Sequence, residues 1–262
     1  MSWIEALVLG LLQGLTEFLP VSSSGHLELG SALFGLEEEN LTFSIIVHGA
    51  TFLSVVVVFR NDILNLITSL LKFQWNAETK FIALLVLSAV PVGLVGVLFK
   101  DQIETLFEGR IAFVGSMLLV TATLLFLTKY APKQHKEVGI KSALLIGLAQ
   151  TVAILPGISR SGATISTALY LGIDREKATR FSFLMVLIPI FGASLLEMLD
   201  LYKATEPAAI SNTALLIGAL AAFTSGLFAC SWMLRIVKKG KLVYFSIYCV
   251  IVGMIAIFYG LF

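Results

Sequence analysis

Two short segments hold most of the polar groups that could do chemistry inside an otherwise apolar chain. In the first, QGLTEFLPVSSSGH, Gln13, Glu17, Ser22, Ser23, Ser24, Gly25 and His26 fall close together; in the second, PGISRSGATIS, lie Ser159, Arg160, Ser161, Gly162 and Thr164. Glu17 is midway along an apolar run, and an ionisable group at membrane depth is costly enough to mark a functional position. Gln13 precedes it by four residues, so on a helix both project from one face. Pro20 followed by small polar residues predicts a half-helix whose free N–H groups and positive dipole end attract an anion. The serine hydroxyls add donors or a nucleophile, and Gly25 permits close backbone approach. His26 follows Ser22 and Ser23 by about one turn, within reach of a shared ligand. Arg160 carries a planar fork suited to bidentate phosphate recognition, and Ser159, Ser161, Gly162 and Thr164 rebuild an anion-binding helix start around it. Together the segments read as a phosphate pocket with an acid, an imidazole and hydroxyls. The plainer reading is a structural Glu17–Arg160 ion pair that locks the segments together. It leaves the surrounding hydroxyls without a role.

The rest of the chain must hold these groups in place, and its composition says in what medium. Of 262 residues, 58% are hydrophobic and 13% charged, with a mean hydropathy of +0.94. Soluble domains carry roughly 25% charged residues. This excludes a soluble enzyme, a disordered tail and a disulfide-stapled module. The net charge of +1 offers no basic field for nucleic acid. Cys230 and Cys249 lie in apolar runs and read as small hydrophobes. Six stretches have the length of bilayer spans: Leu41–Phe59, Phe81–Phe99, Ile111–Thr128, Phe181–Leu199, Ala214–Leu234 and Leu242–Phe262, with Pro91 and Pro189 expected to interrupt two of them. Two others, Ile4–Gly35 and Lys141–Gly172, are broken near the middle by the polar segments above. Such a break cannot face lipid, so each predicts a re-entrant helical hairpin.

A shift of 137 residues aligns Ala6–Gly35 with Ala143–Gly172 without a gap and leaves nine positions identical, among them Gln13/Gln150, Ser22/Ser159, Ser24/Ser161 and Gly25/Gly162. The fold class expected is therefore an all-α polytopic membrane protein: six transmembrane helices plus two re-entrant hairpins, in one integral membrane domain spanning 1–262. Each half, about 1–135 and 137–262, has three crossings, so the second half is inverted and the hairpins meet near the midplane. Lys100, Arg110 and Lys203 fall on one side against fourteen Lys and Arg on the other. The positive-inside rule puts the fourteen in the cytoplasm and both termini outside. The acidic residues Glu37–Glu39, Asp101, Glu104 and Glu108 lie on the outer side. His48, His135, Glu5, Glu28 and Glu197 are left out of the site.

The two polar segments closely resemble the motifs of the undecaprenyl-pyrophosphate phosphatase family of bacterial envelopes, also known for bacitracin resistance. The resemblance runs the length of the chain. It implies that Glu17, Ser23, His26 and Arg160 match the family's key catalytic positions and that Ser159 and Thr164 match supporting ones. The family's first motif begins with Glu or Gln; here Gln13 stands there, so Glu17 is its single carboxylate. The implied activity removes the terminal phosphate from a C55 isoprenoid diphosphate, usually with a divalent cation, Mg²⁺ or Ca²⁺, bridged through Glu17. That reaction regenerates the monophosphate carrier for cell-wall synthesis in the cell membrane. Gln13, Ser22, Ser24, Gly25, Ser159, Ser161, Gly162 and Thr164 would line the substrate. Ser23 is the preferred nucleophile, with Glu17 or His26 taking its proton; attack by His26 or by water stays open. The alternative is a transporter or flippase for an anionic lipid, since broken helices meeting at midplane also mark transporters. The partners implied are the polyprenyl diphosphate and the bilayer, with self-association left open.

Overall fold

A computed structural model describes residues 1–36, 41–106, 110–132, 135–203 and 210–261. The expectations for Glu37–Glu39, Glu108 and Phe262 fall outside these residues, as does Lys133 from the cytoplasmic set. Every regular element among the described residues is helical, the sole β feature being an isolated bridge between Lys136 and Ile173.

The broken segments form two short helix pairs, α1 (Trp3–Phe18) with α2 (Ser23–Leu33), and α8 (Ile140–Val152) with α9 (Arg160–Tyr170). At 16, 11, 13 and 11 residues, none reaches the ~20 residues a bilayer core requires. Neither proline starts a helix. α2 begins at Ser23 and α9 at Arg160, with Ser22 and Ser159 as caps, so Pro20 and Pro156 stand in the turns before them.

Five helical stretches are long and apolar enough to span: α5 (Ala77–Leu98), α7 (Ile111–Leu127, extended to Tyr130), α10 (Arg175–Met185) continuing into α11 (Leu187–Lys203), α12 (Asn212–Lys238) and α13 (Val243–Leu261). A sixth candidate, α3 (Leu41–Val58), bends by 78° into α4 (Arg60–Leu70). The remaining helix, α6 (Lys100–Glu104), is a single short turn. The chain is thus a multi-pass membrane protein. Its outer faces remain apolar, with Leu94, Val97, Phe228, Ile255 and Phe258 all well exposed, which only a lipid surround makes favourable.

Two features differ from the expected spans. The Leu41–Phe59 stretch does not end in a loop but turns at Phe59 into α4, where Asn61, Asp62 and Asn65 alternate with Leu66 and Ser69 turned inward. The Phe181–Leu199 stretch starts earlier, at Arg175; the interruption expected of its proline falls at Val186, whereas α5 runs unbroken through Pro91. Pro189 accounts for the interruption, because it lacks the N–H that would bond the Met185 carbonyl four residues back.

Close helix contacts run through small residues, as expected where lipid supplies no hydrophobic drive. A Cβ on Gly10 would sit 2.4 Å from the Gly218 carbonyl oxygen, fixing α1 against α12; a Cβ on its repeat mate Gly147 would sit 2.4 Å from the Ser88 carbonyl oxygen, fixing α8 against α5. Each half's first helix therefore leans on a long helix of the other half.

Candidate active site

The two short helix pairs touch at their tips. Ser161 Oγ donates to the Leu19 carbonyl at 3.3 Å, and a Cβ on Gly25 would approach Gly157 Cα to 3.2 Å. Both inner helices begin alike: Ser22 Oγ accepts from Gly25 N at 3.3 Å and Ser159 Oγ from Gly162 N at 3.1 Å. These serines hold the amide of the third helical residue, the bond an N-cap supplies. The repeated Ser-x-Ser-Gly spacing is thus a capping pattern, and it places Ser23 and Arg160 at equivalent first positions of α2 and α9.

Both first-position side chains converge on Glu17. Ser23 Oγ donates to Glu17 Oε2 at 2.5 Å, and Arg160 Nη2 donates to Glu17 Oε1 at 3.1 Å. Gln13 Nε2 adds a third bond, to Oε2 at 3.1 Å, from one turn earlier on α1. The Glu17 side chain is 5% exposed and that of Arg160 29%. The carboxylate is nearly dry and hydrogen-bonded at both oxygens, as a buried charge must be, while the guanidinium keeps donors without a partner among the described residues. Ser23 and Ser24 are also half-open. Ser23, Ser24 and Arg160 therefore form the accessible face of the site, with the Glu17 carboxylate buried behind them.

The other expected residues are present but turned away. Ser22, Ser159 and Ser161 are buried in caps and in contacts between the tips, and Thr164 Oγ1 donates back to the Arg160 carbonyl at 2.9 Å. They shape the two helix starts. His26, 6% exposed, has both ring nitrogens engaged: Nδ1 lies 2.8 Å from the Ser22 carbonyl oxygen and Nε2 lies 2.8 Å from the Tyr248 hydroxyl. Ser22 itself has φ +68°, a conformation costing a non-glycine residue about 1–3 kcal/mol.

Sequence reasoning missed two residues that brace the tips. Thr121 of α7 donates to the Gly157 carbonyl at 2.9 Å and accepts from Ser159 N at 2.9 Å. Tyr248 of α13 holds His26. Each is a polar group within a span, yet hydroxyls are common there and neither stood out by charge or spacing.

Oxygen chemistry is available for a hard cation but no cage is built. Among the described residues no group of three or more His, Cys, Asp or Glu converges, and the Gln13 Oε1 atom is buried without a hydrogen-bond partner among them. One carboxylate with adjoining hydroxyls fits a cation held mainly by substrate phosphates, as Mg²⁺ commonly is.

Known proteins resemble the chain along nearly its whole length. A model of the family described as "Bacitracin resistance protein BacA" matches residues 6–255. A protein of Parabacteroides distasonis named undecaprenyl-diphosphatase is 53% identical over 260 residues, covering 98% of each chain. One of the same name from Christiangramia forsetii is 51% identical over 265 residues, covering 99% of each, and one from Halothermothrix orenii is 40% identical over 267 residues, covering 100% of each.

Proposed function

The chain belongs to the bacitracin resistance protein BacA family, and on that premise we propose how its site carries out the family's reaction. The chain hydrolyses undecaprenyl diphosphate to the monophosphate and inorganic phosphate, returning the lipid carrier to cell-wall synthesis. The observation that carries the mechanism is the 2.5 Å hydrogen bond from Ser23 Oγ to Glu17.

Glu17 takes the Ser23 proton as Oγ attacks the terminal phosphorus, which places the nucleophile and its base in contact before substrate arrives. The bond from that phosphorus to the bridging oxygen breaks, and the bridging oxygen leaves with its electron pair on the polyprenyl monophosphate. Arg160 and the free amides at the starts of α2 and α9 stabilise the negative charge that spreads over the phosphoryl oxygens. Water then attacks the phosphorus of the Ser23 phosphoester, the Oγ–phosphorus bond breaks, Glu17 returns its proton to Oγ, and phosphate leaves carrying the water's oxygen and protons. Glu17 would be the protein ligand of a divalent cation, Mg²⁺ or Ca²⁺, whose charge would offset that of the diphosphate. The transporter reading lacks this support, since binding an anionic lipid requires no hydroxyl held against a carboxylate.

The same proposal gives the membrane arrangement: six spans with two re-entrant hairpins in inverted halves, and both termini outside. Its supports are the sub-span lengths of α1, α2, α8 and α9, the equivalent caps at Ser22 and Ser159, and the division of Lys and Arg. The decisive experiment is phosphate release from undecaprenyl diphosphate by the purified protein, with acid-quenched samples searched for phosphate on Ser23. Lipid binding without phosphate release would overturn the enzymatic reading.

A further inference from the structure

We infer that His26 and Tyr248 form a positioning strut for Ser23, and that His26 neither attacks phosphorus nor takes the nucleophile's proton. The inference rests on the Ser23 mechanism above. It begins with the hydrogen-bond chemistry of the imidazole. The Ser22 carbonyl can only accept, so Nδ1, 2.8 Å away, carries the ring proton. In the neutral ring Nε2 is then the lone-pair nitrogen and accepts from the Tyr248 hydroxyl at 2.8 Å. With both nitrogens taken, the ring has no free atom with which to attack or to accept a proton. Its nearest consequence is structural and local. His26 reaches back one turn to the carbonyl of Ser22, the residue at φ +68°, and so holds the turn that leads directly into Ser23.

Tyr248 completes the arrangement from a distant part of the chain. Its ring lies nearly parallel to the imidazole, 9° between planes and 5.6 Å between centroids. It is 42% exposed and lines a crevice of about 730 Å³ together with Leu15, Leu19 and Phe245, and with Arg235, Lys239 and Lys241. Without its hydroxyl, the buried Nε2 lone pair would lose the one partner it has among the described residues. Free of its partner, the imidazole could change rotamer or tautomer and leave the Ser22 carbonyl with only the helical bond from His26 N at 3.2 Å. The chain of contacts runs Tyr248, His26, Ser22, Ser23, Glu17, and every link before Ser23 acts by position.

The test uses purified full-length protein carrying His26→Asn, His26→Ala, Tyr248→Phe and the double change His26→Ala with Tyr248→Phe. Asn keeps an N–H close to the Nδ1 position but has no imidazole. Expected kcat for His26→Asn stays within about tenfold of wild type, while His26→Ala falls on the order of a hundredfold. Tyr248→Phe should lower kcat by roughly three- to tenfold with KM unchanged, and should add little to His26→Ala, because coupled residues do not lose activity additively. Nitrogen NMR of labelled histidine should show a protonated Nδ1 in the wild type, with the Nε2 resonance alone displaced in Tyr248→Phe. His26→Asn as inactive as His26→Ala in folded protein, phosphate trapped on His26, wild-type kcat in Tyr248→Phe, or a protonated Nε2 would each overturn the strut. Absence of phosphate release by the wild type would instead overturn the proposed function, leaving the NMR measurement as an independent check of the strut.

Discussion

Replacing Glu17 with Gln separates a working carboxylate from a merely structural one. The side chain keeps its size and one carbonyl acceptor, so Gln13 or Ser23 can still donate to it. It loses the negative charge that faces Arg160 at 3.1 Å and the basicity that faces Ser23 at 2.5 Å. Loss of a general base costs about 10²- to 10⁴-fold in rate, or about 3–5 kcal/mol of barrier at 1.36 kcal/mol per tenfold. The stability cost is smaller than the ~3–5 kcal/mol of breaking a fully buried pair. Arg160 is 29% exposed and regains water, so about 1–2 kcal/mol is expected. The variant should therefore be folded in detergent, with an unfolding temperature lowered by a few degrees, and nearly inactive in phosphate release. Turnover within a few-fold of wild type would refute the base assignment and favour a structural ion pair. A variant that fails to fold at all would show that the pair carries far more stability than its geometry implies.

Arg160→Lys keeps the charge but loses the planar fork, so kcat should fall by on the order of a hundredfold while folding is retained; steady-state kinetics with a melting curve reads both. Ser23→Ala should abolish turnover while bound lipid diphosphate is still detected, whereas Ser24→Ala, which removes a hydroxyl 3.4 Å from Ser22 Oγ and not in contact with Glu17, should keep substantial activity. Chelation should suppress phosphate release without lowering the unfolding temperature, because the cation would be carried by the substrate; a large loss of stability would point to a resident metal instead. Impermeant thiol labelling of intact cells should reach a cysteine at Ser2 and not one at Lys129; the reverse pattern would invert the topology.

The sequence carried its information in local patterns. Apolar runs of span length identified the long helices, because a bilayer imposes a length and a polarity that composition alone must satisfy. The breaks at Leu19–Gly25 and Leu155–Gly162 were legible because proline, glycine and serine act on the backbone within one turn. The 137-residue repeat even put Ser23 opposite Arg160. What it could not supply was the outcome of contacts between residues distant in the chain. Nothing in the order of residues says that Ser23 and Arg160 take different oxygens of the same carboxylate. Nor does it say that His26, an obvious candidate for chemistry by type and spacing, spends both nitrogens on Ser22 and on Tyr248, 222 residues away. The turn at Phe59 likewise depends on how neighbouring helices accept it, whereas the break at Val186 follows from Pro189 close by in the sequence. A side chain's type fixes which bonds it can make. Only the tertiary structure decides which partner is close enough to make them.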